Sequence, residues 1–183
     1  MTLPIEKNPK QLSSENILFE TVNDAIWWVA HTKSRREKAL ADFFAEKHIG
    51  YYLPLIKMRQ PSNRRERYSL LPLFAGYIFF KGNLQDRHNV YASNSIAYIL
   101  EVNDQEKLCQ ELRQIYKVLA INDPIYPYDF LSEGQLVRIK NGPLQGIEGI
   151  IDRKDGNYRI VLSVSTIAKS FAIHVDADIV ELI

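Results

Sequence analysis

The sequence predicts an α+β protein in two parts. An antiparallel sheet flanked by helices is expected over residues 25–122, and a small five-stranded β-barrel over residues 133–183. Three observations predict this. The first part mixes short aromatic and β-branched runs with stretches whose apolar residues recur at helical spacing. The last fifty residues hold only short strand-like runs separated by turn residues. Between them lies NDPIYPYDF, with two prolines and no helical pattern, which reads as a linker over 123–132.

The elements follow in order. Residues 1–24 are polar, are interrupted by Pro4 and Pro9, and read as a mobile tail with a short ordered piece at Ile17–Phe19. IWWVAH at 26–31 is rich in strand formers. Ser34 and Glu37 then have the spacing of a capping box, Leu40, Phe43 and Phe44 follow at helical spacing, and Gly50 is expected to stop that helix. Tyr51–Ile56 reads as a strand that Pro54 confines to an edge or a bulge. A basic loop is expected from Lys57 to Tyr68, and a strand over LFAGYIFF at 73–80. A short helix at 83–93, a strand at Ile96–Val102 and a helix capped by Asp104 complete the first part. The last helix carries a stripe of Leu108, Leu112, Ile115 and Leu119. The C-terminal strands are expected at 135–140, 147–153, 157–163, 167–174 and 178–182, and closure into a barrel would remove their exposed edges.

Composition narrows the function. No run approaches about 18 uninterrupted apolar residues, which argues against a membrane span. The N-terminus lacks the basic-then-apolar pattern of a signal peptide. The single Cys109 excludes an internal disulfide, fits a reducing cytoplasm, and reads as a packing residue. The overall charge of +1 hides an asymmetry. Residues 1–24 carry 2 basic and 4 acidic groups, 25–122 carry 15 and 9, and 123–183 carry 6 and 9, so the middle block is the basic one. Histidines 31, 48, 88 and 174 are scattered without metal-ligand spacing, and no Gly-rich phosphate loop follows a strand. Neither catalysis nor a cofactor is expected.

Two groups of residues point to binding. In Phe74-Ala75-Gly76-Tyr77-Ile78-Phe79-Phe80, alternation puts Ile78 and Phe80 on one face and Tyr77 and Phe79 on the other. Either the second face is a bare aromatic pair that docks a partner's helix, or both faces are core. The stretch 57–68 offers Lys57, Arg59, Arg64, Arg65 and Arg67 against Glu66, and Lys33, Arg35, Arg36 and Lys38 form a second basic cluster. Arginine forks suit phosphates and carboxylates, so nucleic acid, an acidic protein surface and a solvated hairpin tip all stand open.

The stretch GQLVRIKNGPLQGIEGII at 134–151 resembles the KOW motif of ribosomal proteins and transcription elongation factors. With it, residues 25–183 resemble the NusG family of transcription factors: an N-terminal NusG-type domain, a linker and an SH3-like KOW barrel. The blocks that carry the resemblance are WWVAHTKSRREKAL, LPLFAGYIFF, VRIKNGPLQGIEGII and LSVSTIAKSFAIHV, in that order. The resemblance implies a cytoplasmic, monomeric elongation or antitermination factor. Its N-terminal domain would bind the clamp helices of RNA polymerase's largest subunit through Phe74, Tyr77 and Phe79, with His88 facing the opposite lobe of the cleft. Lys33 and Arg36 lie near the surface that resembles the family's non-template-DNA face, and with Arg35, Arg64, Arg65 and Arg67 of the two basic clusters they are the expected contacts to non-template DNA or nascent RNA. Thr166, Ile167, Ala168 and Lys169 match the loop that recruits Rho or a small-subunit ribosomal protein. Departures at Ala75, Leu144, Ile167 and Ala168 point to a specialised, operon-specific paralogue of the RfaH/UpxY type. β-branched residues and Gly142, Pro143, Gly146 and Gly149 predict a KOW domain that keeps its β-form. A ribosome-associated RNA-binding KOW protein is the alternative.

Overall fold

The computed structural model describes residues 17–18, 24–60, 67–121, 125–128, 134–154 and 157–183. The chain forms two compact units, residues 1–105 and 106–183.

The first unit is built on four antiparallel strands in the order β2-β5-β1-β6, namely β1 (Ile26–Thr32), β2 (Gly50–Tyr52), β5 (Tyr77–Gly82) and β6 (Ile96–Leu100). Trp28 and Ala30 of β1, Ile78 and Phe80 of β5 and Tyr51 of β2 form one core with Leu40, Ala41 and Phe44 of helix α1 (Glu37–Glu46). Phe44 anchors it, with ring centroids 5.0 Å from Phe80 and 5.7 Å from Tyr51. Burial, reinforced by the negative charge of Asp42, pushes the Tyr51 hydroxyl up to about 12. Helix α2 (Leu84–Val90) is closed by a capping box between Asn83 and Asp86.

Several local expectations need correction here. No Ser34–Glu37 capping box forms: α1 starts at Glu37 with Arg36 as its cap and no side-chain cap bond. Glu37 is buried instead, and its carboxylate accepts the Gly76 N–H at 2.7 Å. The helix ends before Gly50, because His48 itself takes the left-handed φ of +55° and leaves Gly50 to open β2. Pro54 splits the expected 51–56 strand, so that β2 stops at Tyr52 and β3 (Leu55–Gln60) begins afresh. The basic stretch is not simply a loop. Its arms are β3 and β4 (Arg67–Pro72), paired in a separate two-stranded ribbon from Leu55↔Pro72 to Gln60↔Arg67. The expected 73–80 strand starts only at Tyr77, since Phe74–Gly76 is a turn closed by a Tyr77 N–H bond to the Phe74 carbonyl, with Gly76 at φ +85°. In the expected tail, Leu18 is buried.

The second unit joins helix α3 (Gln105–Ile121) to a six-stranded antiparallel sheet in the order β12-β8-β9-β10-β11-β7. The strands are β7 (Ile125–Tyr128), β8 (Gln135–Ile139), β9 (Glu148–Lys154), β10 (Asn157–Val164), β11 (Lys169–Val175) and β12 (Val180–Leu182). The buried stripe of α3 is Leu108, Leu112, Ile115 and Val118; Leu119 is only half-buried. The turn between β8 and β9 uses positive φ at Gly142 and Gly146, a region open to glycine at no steric cost.

The five-stranded barrel is corrected in two ways. Part of the expected linker is β7, which lies beside β11 with Pro127 opposite Phe171. An edge position tolerates the proline, whose missing N–H leaves no gap inside the ladder. The ladder is also open, since β12 and β7 are not paired to each other among the described residues. The first unit ends at Gln105, at the head of α3.

Candidate docking surface

At one end of the first sheet, three strands bring three rings into a row. His31 on β1 lies opposite Tyr77 on β5 and opposite Tyr98 on β6. The imidazole stacks on Tyr98 at 4.5 Å with 2° between planes, and meets Tyr77 edge-on at 4.8 Å. Tyr98 is 45 % exposed, and His31 and Tyr77 are half-buried. Burial raises the Tyr77 pKa, and the Tyr98 phenol adds to the rise through its charge and its hydrogen bond.

The turn beneath the row is fixed by backbone bonds. Thr32 N–H donates to the Gly76 carbonyl at 2.8 Å, Lys33 N–H to the Ser95 carbonyl at 2.8 Å, and Gly76 N–H to Glu37. A Cβ at Gly76 would sit 3.4 Å from His31 Nε2 and would require φ +85°. His31 Nδ1 is buried and has no hydrogen-bond partner among the described residues. The row is an aromatic patch held by ring contacts and backbone bonds, apolar in body with polar edges, of the kind that buries well against a partner.

The bare Tyr77–Phe79 pair does not exist. Phe79 is fully buried and Phe74 is buried, with their rings edge-on at 6.4 Å. The register gives the reason: Phe79 shares one face with Val29 and Tyr52, which are buried, and Ile78 and Phe80 are buried on the other, so this part of β5 is covered on both faces. Tyr77, at the start of the strand, is only half-buried. His31 and Tyr98 were missed because neither lies in the apolar run; only cross-strand pairing unites them with Tyr77.

The other expected site residues are dispersed. His88 is exposed on α2, in line with Leu84, which is 71 % exposed, and near Tyr91, which is 48 % exposed. Lys33, Arg35 and Arg36 are exposed, and Lys33 Nζ donates to Asn94 Oδ1 at 2.6 Å. Arg67 lies on β4, while Arg64 and Arg65 fall outside the described residues.

In the second unit, Ser165–Ile167 form a 3-10 turn and Ala168 takes a left-handed φ of +49°. Ala168 and Lys169 are exposed and Thr166 is half-buried. Ile167 is buried, so its side chain serves the unit's own interior rather than a free surface. The first residue of this turn is tied to α3: Ser165 donates to Glu111 from its hydroxyl at 2.7 Å and from its N–H at 3.2 Å. Glu148 N–H likewise donates to Gln114 Oε1 at 2.8 Å.

Among the described residues, no group of three or more His, Cys, Asp or Glu side chains could hold a metal ion. No helix among them is long and apolar enough to cross a membrane. A search of curated proteins found no match. A family profile described as transcription termination factor nusG matches residues 25–118, which takes in the whole first sheet, its aromatic row and most of α3. With that match covering half of the sequence, the chain belongs to the NusG family of transcription factors.

Proposed function

We propose that this chain is an elongation or antitermination factor that binds RNA polymerase on the clamp helices of its largest catalytic subunit. The observation that carries this reading is the partly exposed row of Tyr77, His31 and Tyr98. Rigid aromatic groups of this kind dominate binding energy at protein interfaces. Phe74 and Phe79, buried behind Tyr77, support the strand and do not touch the partner. His88, with Leu84 and Tyr91, is the second contact, to the opposite lobe of the cleft. Lys33, Arg35, Arg36, Arg64, Arg65 and Arg67 face non-template DNA or nascent RNA. The second unit acts as the KOW domain and recruits a small-subunit ribosomal protein or Rho through Thr166, Ala168 and Lys169. The protein works in the cytoplasm as an operon-specific paralogue.

Affinity capture of RNA polymerase tests the reading. Tyr77→Ala with Tyr98→Ala should weaken capture strongly, since buried aromatic hot spots contribute about 2–4 kcal/mol each. Undiminished capture by the double variant would remove the docking claim. Phe79→Ala is a poor test, because emptying a fully buried site costs about 3–5 kcal/mol of stability whether or not a partner binds.

A further inference from the structure

The first sheet has two faces, and α1 packs on one of them. Residues directly opposite each other on paired strands share a face, and successive residues alternate. Trp28, Ala30, Tyr51, Ile78 and Phe80 accordingly form the core with α1. The other face carries the row of His31, Tyr77 and Tyr98 at one end. At its far end stand Trp27, Gly50 and Lys81, since Trp27 and Gly50 both lie opposite Lys81. Between the two ends are Val29, Tyr52 and Phe79, all buried. At the Gly50 end the cover comes from outside the sheet. A Cβ on Gly50 would lie 3.1 Å from Ile17 Cγ1 and closer still to its Cδ1, so Ile17 fills the space that the absent side chain leaves. Leu18, the next residue, is 1 % exposed. The family profile begins at residue 25, so this cover belongs to chain that the family domain does not include.

We infer that Ile17–Leu18 is a displaceable cover on the docking face. Seated, it leaves the partner the row of His31, Tyr77 and Tyr98; lifted, it gives the same partner the Trp27–Tyr52 end as well. The inference rests on the proposed docking of RNA polymerase and adds the regulation of that site. Continuity supports it: a helix tip laid along β5 from Tyr77 towards Lys81 meets the covered end next, on the same face and the same strands. The glycine supports it too. Gly50 has no left-handed φ to account for it, so its bare Cα serves the seat of Ile17 and not a turn.

The test is a titration of RNA polymerase with the full chain, the cover being locked or evicted. Ile17→Cys with Gly50→Cys, in a Cys109→Ala background, sets two thiols within disulfide reach. The oxidised form should bind polymerase about tenfold more weakly than the same protein after reduction. The Cys109→Ala chain, treated alike, should not change. Gly50→Val evicts Ile17 without altering the segment itself, and should bind about tenfold more tightly than the parent, the gain for a cover lifted about a tenth of the time. Equal affinity before and after reduction, in a chain whose binding Tyr77→Ala with Tyr98→Ala abolishes, would overturn the cover and leave docking on the row intact. No gain in Gly50→Val with a parent-like thermal midpoint would overturn it as well. A gain on reduction that survives the Tyr77 and Tyr98 substitutions would keep the cover and remove the row. If no form binds polymerase, both fail.

Discussion

Glu37 shows how one side chain can leave its local role for a distant one. In sequence it completes a capping box with Ser34; in the fold its carboxylate accepts the Gly76 N–H and fixes the turn under the aromatic row. Glu37→Ala should cost about 1.5–3 kcal/mol, the range for a charge-assisted bond whose donor is left unpaired, measured as the shift in urea midpoint at constant slope. Tyr51 gives a pH prediction. Its hydroxyl is raised from 10.0 to about 12, so the folded state holds the proton more tightly than the unfolded chain does. Its contribution is complete below pH 10 and is lost as pH rises through 12. Stability should fall by roughly 2–3 kcal/mol across that window at about 1.4 kcal/mol per pK unit. Tyr51→Phe should flatten the fall, as read from denaturant unfolding at a series of pH values. The burial of Tyr51 follows from its place in an apolar strand, but the partner of Glu37 was not legible, because a contact 39 residues away leaves no periodic mark.

Among the elements, β1, α1, α2, β6 and the C-terminal strands could be read from periodicity and turn residues, with ends displaced by a residue or two. Two of the failures share a cause, that charge or proline in a sequence reads as loop. β3 and β4 carry Arg59 and Arg67 yet pair along their length, and β7 carries Pro127 yet holds a sheet edge. Polarity and proline are compatible with strands that lack a neighbour on one side. On α3, Val118 takes the buried place expected for Leu119, because the two differ by one step around a helix whose stripe is three to four residues wide. Leu112→Ala should therefore destabilise by about 2–5 kcal/mol, the range for emptying a buried leucine site, and Leu119→Ala clearly less. Thermal unfolding of the two variants side by side checks the assignment.

For the whole molecule, the two-part α+β plan was legible because the helical period vanishes after Ala120 and turn residues then recur at short intervals. The candidate docking surface was legible only in part. Tyr77 was named from its strand, but its companions come from β1 and β6, and no single-strand pattern could join them. The second unit is β throughout the described residues after α3, apart from short 3-10 turns. An isolated 125–183 fragment should accordingly give a β-type circular dichroism spectrum with no helical minimum. A strong helical signal would show that this stretch can refold.

The bonds from Ser165 to Glu111 carry a consequence for the proposed recruitment. A newcomer seeking that hydroxyl or amide meets an internal rival already seated there, one held in place at no loss of translational freedom. Affinity at this corner is thus a contest between an outside acceptor and a tethered one, and its outcome depends on whether α3 stays in place.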